Sequence, residues 1–293
     1  MPIAKSMSSP LRYPGSKASL VGYVSDLLCE NYLEQCTFIE PYAGSSVVSI
    51  ELLNQGIIKH AILIERDPLI FAFWKAAFCH PHDLIERIHQ VPVTMETWNS
   101  FQKYRKADTP FDYPLLEMGL AGLFFNRTTF SGIMKAGPLG GLAQTSQYKI
   151  DCRFNKERII KQIFDISQYR SNIEVHFNDA IRYMTEYRQQ IRRTNSFIYV
   201  DPPYYEKGPA LYRYWYNHDD HKQLSRFLLK IKTPWLVSYD DHSAIRKLYK
   251  NAPGLQEIYI DYSVANCRRE QELLLSNLQI PPFKQHLLQI PTA

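Results

Sequence analysis

Short apolar runs alternate with segments of helical spacing along much of this chain of 293 residues. Residues 37–40 and 61–65 are apolar runs that each end in an acid, and residues 47–55 between them place apolar side chains at helical intervals. Further strands are predicted at residues 174–177, 197–200 and 235–238, with a helix at 219–230 between the last two. Such alternation predicts a mainly parallel, doubly wound α/β sheet.

The pattern changes near the end of the chain. Residues 255–264 and 272–278 alternate or run apolar, and a polar segment at residues 266–270 separates them. Two such stretches across a polar connection indicate a β-hairpin. We expect this hairpin to form the antiparallel edge of the sheet.

A long segment between residues 65 and 174 does not continue the alternation. Within it, residues 71–78 and 115–125 have helical patterns, whereas residues 128–148 are rich in Gly, Ser and Thr. We interpret this segment as a mostly helical domain inserted into the sheet-forming chain. The predicted boundaries are residues 1–70 and 168–293 for the discontinuous sheet domain and residues 71–167 for the insertion.

Composition and charge favour a globular protein with an anionic partner. The formal net charge is +5, and from Arg127 to Lys161 seven basic residues stand against two acids. This excess suits nucleic acid but falls short of a polybasic binder. Five scattered cysteines without a CxxC pair argue against a disulfide framework, and no apolar run is long enough to span a bilayer. We therefore expect a soluble, cytoplasmic protein.

An acid, two prolines and an aromatic residue follow the predicted strand at 197–200, in the order Asp201, Pro202, Pro203 and Tyr204. Loops beyond the carboxyl ends of parallel strands build ligand sites, and proline lacks a backbone donor, so a carbonyl can face a substrate there. Asp201 and the Pro202 carbonyl can each accept one hydrogen of an exocyclic amine while Tyr204 stacks on the base. An ordinary strand end with a proline turn is the alternative.

Small residues and acids also follow the other strands. The loop at residues 40–46 lets a ligand approach the backbone, but it lacks the GxGxxG spacing of dinucleotide sites. Glu65 and Asp179 come after the second and third strands, where a carboxylate can accept hydrogen bonds from a nucleoside. Glu65 can instead be a solvated loop acid, and Asp179 can cap the helix that begins near Ala180.

In this order the motifs resemble those of the Dam-like adenine-N6 DNA methyltransferases. Residues 11–17, 40–44 and 201–204 are similar to the family's N-terminal cofactor motif, glycine loop and catalytic DPPY, and the resemblance spans residues 11 to about 278. It implies a Rossmann-like class I methyltransferase fold whose insertion is the DNA target-recognition domain. It also implies transfer of a methyl group from S-adenosylmethionine to N6 of a flipped-out adenine in double-stranded DNA, with S-adenosylhomocysteine as product.

The resemblance implies a role for each matching residue. The implied cofactor residues are Tyr13, Lys17, Glu40, Pro41, Tyr42, Gly44, Glu65, Asp179 and Asp201. The implied catalytic residues are Asp201, Pro202 and Tyr204. The implied DNA-binding residues are Arg12, Arg127, Phe130, Ser131 and Lys135. Phe130 falls where the family has an aromatic residue that enters the duplex, and core packing is the alternative. Lys135 falls where a basic side chain reads a base edge.

Two serines depart from the family pattern. Ser16 and Ser46 stand where glycines are common in the family. Serine is tolerated at a negative φ and costly at a positive φ. The backbone angle at each position therefore decides whether the substitution strains the loop.

The residues after the DPPY motif allow more than one interpretation. Residues 204–216 are rich in Tyr and contain Lys207 and Arg213, which suits either nucleic-acid stacking or a lid packed on the sheet. Residues 218–221 and 240–242 combine His and Asp. We interpret the first group as a helix start in preference to part of a two-metal hydrolase site, and we expect no metal.

Rival functions stay open from the sequence. The same sheet with a related motif methylates cytosine N4, or amines in RNA and protein, and a degenerate scaffold could bind DNA without catalysis. Asp201 and the order of the motifs favour adenine in DNA. A cognate restriction endonuclease would be a partner in a restriction-modification role, which the residues themselves do not indicate.

Overall fold

One mixed sheet organises the fold. The computed structural model describes residues 7–13, 15–264 and 266–282. Within them the strands are β1 (Thr37–Glu40), β2 (His60–Glu65), β3 (Ile173–Phe177), β4 (Ser196–Val200), β5 (Trp235–Asp240), β6 (Gly254–Val264) and β7 (Asn266–Ser276). Their order is β3-β2-β1-β4-β5-β7-β6, and β1 to β5 pair in parallel while β7 lies antiparallel between β5 and β6. This confirms the predicted α/β fold with an antiparallel hairpin at one edge.

Helices connect and cover these strands in the described residues. They are α1 (Val21–Glu30), α2 (Val47–Asn54), α3 (Pro68–Cys79), α4 (Pro81–Gln90), α5 (Met95–Arg105), α6 (Leu115–Thr128), α7 (Lys156–Ser167), α8 (Ala180–Glu186), α9 (Arg188–Arg193), α10 (Gly208–Leu211), α11 (His218–Leu228) and α12 (Ser243–Leu248). The predicted helices at 47–55 and 219–230 are α2 and α11, and the helical patterns at 71–78 and 115–125 lie within α3 and α6. Among the described residues, none of these helices combines the length and apolarity needed to cross a bilayer.

Side-chain caps explain where several helices begin. Asp67 accepts a hydrogen bond from the Leu69 amide at 2.9 Å, and Pro68 fills the first turn of α3. At the start of α11, Asn217 and Asp220 cap each other's backbone amides reciprocally. The interpretation of residues 218–221 as a helix start is confirmed. In the described part of the chain, no three His, Cys, Asp or Glu side chains are grouped so as to hold a metal ion.

The sheet separates two apolar cores. Phe197 of β4 joins one core and its neighbour Ile198 joins the other, because successive side chains of a strand face opposite sides. Trp74 of α3 and Phe124 of α6 belong to the same core as Phe197. Helices of the inserted segment therefore share buried side chains with the sheet. The division of the chain into two domains stays a prediction.

The predicted polar connection of the hairpin is wrong. Residues 266–270 belong to β7, and Asn266 pairs directly with Val264. Pairing of β7 with β5 begins only at Glu272, so residues 266–270 pair with β6. Here the hairpin extends beyond β5 as a two-stranded ribbon, which is held by backbone pairing between β6 and β7. Hydropathy therefore gives no strand signal at these positions.

Candidate active site

A cavity opens where the carboxyl ends of the parallel strands meet. The predicted cofactor residues all line it: Tyr13, Lys17, Glu40, Pro41, Tyr42, Gly44, Glu65, Asp179 and Asp201. The parallel strands β1 to β4 all end at this edge, so the sheet brings together residues that are far apart in sequence. Of the N-terminal motif, Pro14 lies outside the described residues.

The loop after β1 approaches its neighbours closely. A Cβ on Gly44, whose φ is +45°, would lie 3.0 Å from the Tyr13 ring, and the Gly44 carbonyl accepts a hydrogen bond from the Trp74 indole at 2.9 Å. Ser46 has a φ of +47°, whereas Ser16 is not among the described residues with a positive φ. Of the two departures from glycine, Ser46 is therefore the one that carries backbone strain.

Two carboxylates in the cavity are deeply buried. Glu65 accepts hydrogen bonds from the amides of Gly44 at 3.1 Å and of Arg66 and Asp67 at 2.8 Å each. Burial raises the pKa of Glu65 to about 7 and that of Glu40 to about 8. Glu65 is thus no solvated loop acid, and its amide bonds tie the end of β2 to the loop after β1.

The two carboxylate oxygens of Asp179 make different contacts. Asp179 is the N-cap of α8 and accepts a hydrogen bond from the Arg182 amide at 3.1 Å. Its other carboxylate oxygen lies 3.4 Å from the Arg66 guanidinium, and the residue also lines the cavity. The capping alternative is confirmed, and it does not remove Asp179 from the cavity wall.

Asp201 faces the cavity with one oxygen already engaged. Its Oδ1 lies 3.0 Å from the Lys17 ammonium and accepts a hydrogen bond from the Ser238 hydroxyl at 2.9 Å. Ser238 belongs to β5, the strand beside β4. Sequence reasoning missed this serine because nothing local to residue 238 marks it as a partner of Asp201.

Tyr204 lies beneath the cavity wall. Its side chain is only 4% exposed, and its hydroxyl donates to Glu272 at 2.8 Å and accepts from Lys17 at 3.0 Å. A Cβ on Gly15 would lie 2.6 Å from that hydroxyl. Pro202 is buried as well, so Asp201 alone of the three predicted catalytic residues lines the cavity. Sequence reasoning missed Glu272, although an acid at the head of an apolar run was a usable signal.

The tyrosines after the DPPY motif turn inward. Tyr212, Tyr214 and Tyr216 line the cavity, and the Tyr216 and Tyr42 hydroxyls are 2.9 Å apart. The Tyr212 ring stacks on Tyr13 with centroids 5.9 Å apart and meets Tyr204 edge-on at 6.4 Å. These contacts favour the lid interpretation of this segment.

The predicted DNA-binding residues occupy different environments. Phe130 is 59% exposed, which excludes core packing. The next residue, Ser131, adopts the left-handed conformation with a φ of +55°. Lys135 is exposed, and its ammonium contacts the Pro209 carbonyl. Arg127 donates instead to the Pro10 carbonyl. Arg12 is held through its backbone by the side-chain amide of Asn126.

Four arginines of this region lie close together. Burial, followed by the charges of Arg12 and Arg158, lowers the pKa of Arg127 to about 10. Burial and Arg153 lower the pKa of Arg12. Arg153 and Arg158 are exposed. Mutual repulsion of this kind marks a local concentration of positive charge.

Comparison with known proteins adds a family to this geometry. The family described as D12 class N6 adenine-specific DNA methyltransferase matches residues 13–264. No curated protein matches the chain significantly. Among the solved structures that match is a candidate RNA methyltransferase from Pyrococcus horikoshii, with 10% identity, a TM-score of 0.42 and coverage of 91% of this chain and 84% of that chain. Similarity at this low identity and TM-score does not indicate the function of this chain.

Proposed function

This chain belongs to the D12 class of N6 adenine-specific DNA methyltransferases, and on that premise we propose a role for each part of its candidate active site. The protein is a DNA methyltransferase that modifies N6 of adenine at specific sites. We propose that S-adenosylmethionine binds in the cavity and that Asp201 and the Pro202 carbonyl hold the amine of a flipped-out adenine. The proposal depends on the contacts of Lys17 and Ser238 with Asp201, which lines the cavity.

The cavity lining fits the proposed methyl donor. Carboxyl groups of Glu40, Glu65 and Asp179 and the rings of several tyrosines surround it. The tyrosine rings, and each carboxyl group once it is ionised, attract a cation such as a sulfonium. Glu65 accepts three amide hydrogen bonds, which leaves room among about four lone-pair sites for a ribose hydroxyl. When bound, S-adenosylmethionine supplies an electrophilic methyl group.

Asp201 is proposed to act through its second oxygen. Lys17 and Ser238 engage Oδ1, so Oδ2 is available to accept one amine hydrogen while the Pro202 carbonyl accepts the other. The lone pair of an adenine amine is delocalised into the ring, and these two hydrogen bonds favour a tetrahedral nitrogen whose lone pair is free to react. Positioning and electrostatics supply most of the rate in such a scheme, without a covalent enzyme intermediate.

The inserted segment, residues 71–167, is proposed to recognise the DNA. The exposed ring of Phe130 suits insertion into the space that a flipped base leaves, and Lys135 suits contact with a base edge. Ser131 holds the turn between them, while Arg12 and Arg127 add to the positive charge beside it. Stacking of the adenine on Tyr204 requires neighbouring side chains to move aside, because the Tyr204 ring is buried and meets Tyr212 edge-on. Unstacking a base costs about a few kcal/mol, which such contacts offset.

Substitution of Asp201 tests the proposal. Asp201→Ala removes the acceptor for the amine, so we expect loss of methyl transfer to double-stranded DNA with little change in S-adenosylhomocysteine binding. The matched control is Asp219→Ala, at an exposed site in the first turn of α11. Mass spectrometry of the digested DNA identifies the product as N6-methyladenine or N4-methylcytosine. Full turnover by Asp201→Ala would falsify the proposed role of this carboxylate.

A further inference from the structure

We propose that Glu272 is a positioning residue for the methyl transfer, which holds Lys17 and Tyr204 in the arrangement that directs Asp201 toward the adenine amine. This inference rests on the proposed function of Asp201. Glu272 belongs to β7, outside every motif that carries the family resemblance. It reaches the candidate active site only through the residues that it contacts.

Glu272 is a buried carboxylate on β7, the strand between β5 and the edge strand β6. It is 1% exposed and pairs across the sheet with Asp240 of β5. Its Oε1 lies 2.8 Å from the Tyr204 hydroxyl and 3.3 Å from the ammonium of Lys17, which is 2% exposed. Replacing a buried ion pair by apolar residues is often neutral or stabilising. Stability therefore does not by itself account for a carboxylate at this place.

The carboxylate fixes the direction of the hydrogen bonds around Tyr204. An ionised carboxylate accepts hydrogen bonds and donates none, so the Tyr204 hydroxyl must donate its hydrogen to Glu272. Its oxygen is then left to accept from Lys17, which lies 3.0 Å away. Without the negative charge of Glu272, the hydroxyl hydrogen would be free to turn elsewhere.

This direction determines how Lys17 meets Asp201. The ammonium has three hydrogens, and it lies 2.9 Å from the Gly15 carbonyl, 3.0 Å from the Tyr204 hydroxyl and 3.0 Å from Oδ1 of Asp201. When the first two acceptors each take one hydrogen, the third is directed to Oδ1 of Asp201, which at 3.0 Å lies nearer than Oε1 of Glu272 at 3.3 Å. Glu272 thus acts on Asp201 through Tyr204 and Lys17.

The charges of the cluster lead to the same conclusion. Lys17 lies between the carboxylates of Asp201 and Glu272, and a second anion favours the charged form of a buried ammonium. A neutral lysine could still donate to Asp201 but would lose the attraction that holds the carboxylate in place. Glu272 therefore keeps both the charge and the orientation of Lys17.

The test is Glu272→Gln, which removes the charge and keeps the size of the side chain. We expect the single-turnover rate of DNA methylation to fall by up to about 100-fold, the scale of loss for a small misplacement of reacting groups. The dissociation constants for DNA and S-adenosylhomocysteine should change little. The matched control is Glu257→Gln on β6, where the carboxylate binds Arg246 at the surface, and we expect its rate to match the wild type.

A double-mutant cycle with Tyr204→Phe separates positioning from stability. If Glu272 acts through the Tyr204 hydroxyl, Glu272→Gln should cost much less in the Tyr204→Phe background, so that the losses are not additive. Additive losses, or a wild-type rate in Glu272→Gln, overturn the inference. Should Glu272→Gln fail to fold, a wild-type rate in Tyr204→Phe overturns it instead. An active Asp201→Ala refutes the proposed function itself, whereas an inactive Asp201→Ala beside a normal Glu272→Gln refutes only the role of Glu272.

Discussion

Glu40 and Glu65 hold protons more tightly than exposed acids do. Burial is the largest cause for both, and it raises the pKa of Glu65 to about 7 and that of Glu40 to about 8. Both carboxyls line the proposed cofactor cavity. Their ionisation between these values therefore changes the charge that a bound cofactor meets.

Cofactor selectivity should depend on pH. As pH rises from about 6 to about 9, Glu65 and Glu40 lose their protons and the cavity gains negative charge, which favours cationic S-adenosylmethionine over neutral S-adenosylhomocysteine. One charge at about 8 Å with an effective dielectric of about 20 contributes about 2 kcal/mol. We therefore expect the ratio of the two affinities to rise at least about tenfold. Calorimetric titration with both ligands at each pH measures it.

Glu40→Gln provides the control for this pH dependence. Glutamine does not ionise, so the part of the rise centred near the pKa of about 8 for Glu40 should disappear while the part due to Glu65 stays. A ratio that stays flat across this pH range in the wild type would contradict the burial of these charges beside the ligand.

The start of α2 is a strained element. Ser46, the residue before α2, has a φ of +47°, and its hydroxyl donates to the Ala43 carbonyl at 3.1 Å. A left-handed conformation costs a non-glycine residue about 1–2 kcal/mol. The hydroxyl bond offsets part of that cost. This balance explains how a serine can stand at a position whose backbone conformation favours glycine.

Two substitutions at Ser46 separate strain from hydrogen bonding. Ser46→Gly and Ser46→Ala both lose the hydroxyl, but only glycine relieves the positive φ, at the expense of about 0.5–1 kcal/mol of chain entropy. We therefore expect Ser46→Gly to be more stable than Ser46→Ala by about 1 kcal/mol. Urea unfolding measures the difference. Equal stability of the two variants would show that the loop is not strained at this residue.

Elements with a local signal are the ones that the sequence predicts. The helix at 47–55 and the strand at 197–200 carry their apolar pattern within a few residues, and the structure has them with small shifts at their ends. The sequence at residues 266–270 shows no apolar alternation, so its strand character depends on pairing with β6. The hydropathy pattern of the sequence does not reveal such a pairing.

The sequence likewise predicts some features of the candidate site and misses others. Motif order predicts that Glu40, Glu65 and Asp201 meet, because the carboxyl ends of parallel strands share one edge of the sheet. The contacts among buried side chains are different, since Lys17 and Tyr204 are 187 residues apart and Tyr204 and Glu272 are 68 apart. Such contacts depend on how the hairpin packs beside β5, which no local pattern specifies.

At the scale of the molecule, four arginines concentrate positive charge where the inserted segment meets the N-terminal motif. Arg153 and Arg158 are exposed there, beside the partly buried Arg12 and Arg127. Basic side chains that neutralise phosphates release counterions, which makes DNA affinity fall with salt. The arginine cluster is therefore the surface from which we expect salt dependence to arise.

Removing these charges should flatten the dependence of DNA binding on salt. We expect Arg153→Ala and Arg158→Ala each to reduce the slope of log affinity against log salt concentration by about 1, without changing which sequence is preferred. The control is Arg188→Ala in α9, which is exposed and leads into the amino end of β4, away from the cavity. A loss of slope in the control equal to that in Arg153→Ala would contradict the assignment of the DNA-facing side.

We propose that Asp201, oriented by Lys17 and Ser238, binds the amine of an extruded adenine beside the cofactor cavity. A crystal structure of the protein with cognate DNA and S-adenosylhomocysteine tests this most directly. We expect the adenine N6 to lie within hydrogen-bond distance of Oδ2 of Asp201 and of the Pro202 carbonyl, with the ligand among Glu40, Glu65 and Asp179. An adenine held elsewhere, or a ligand outside this cavity, would contradict it.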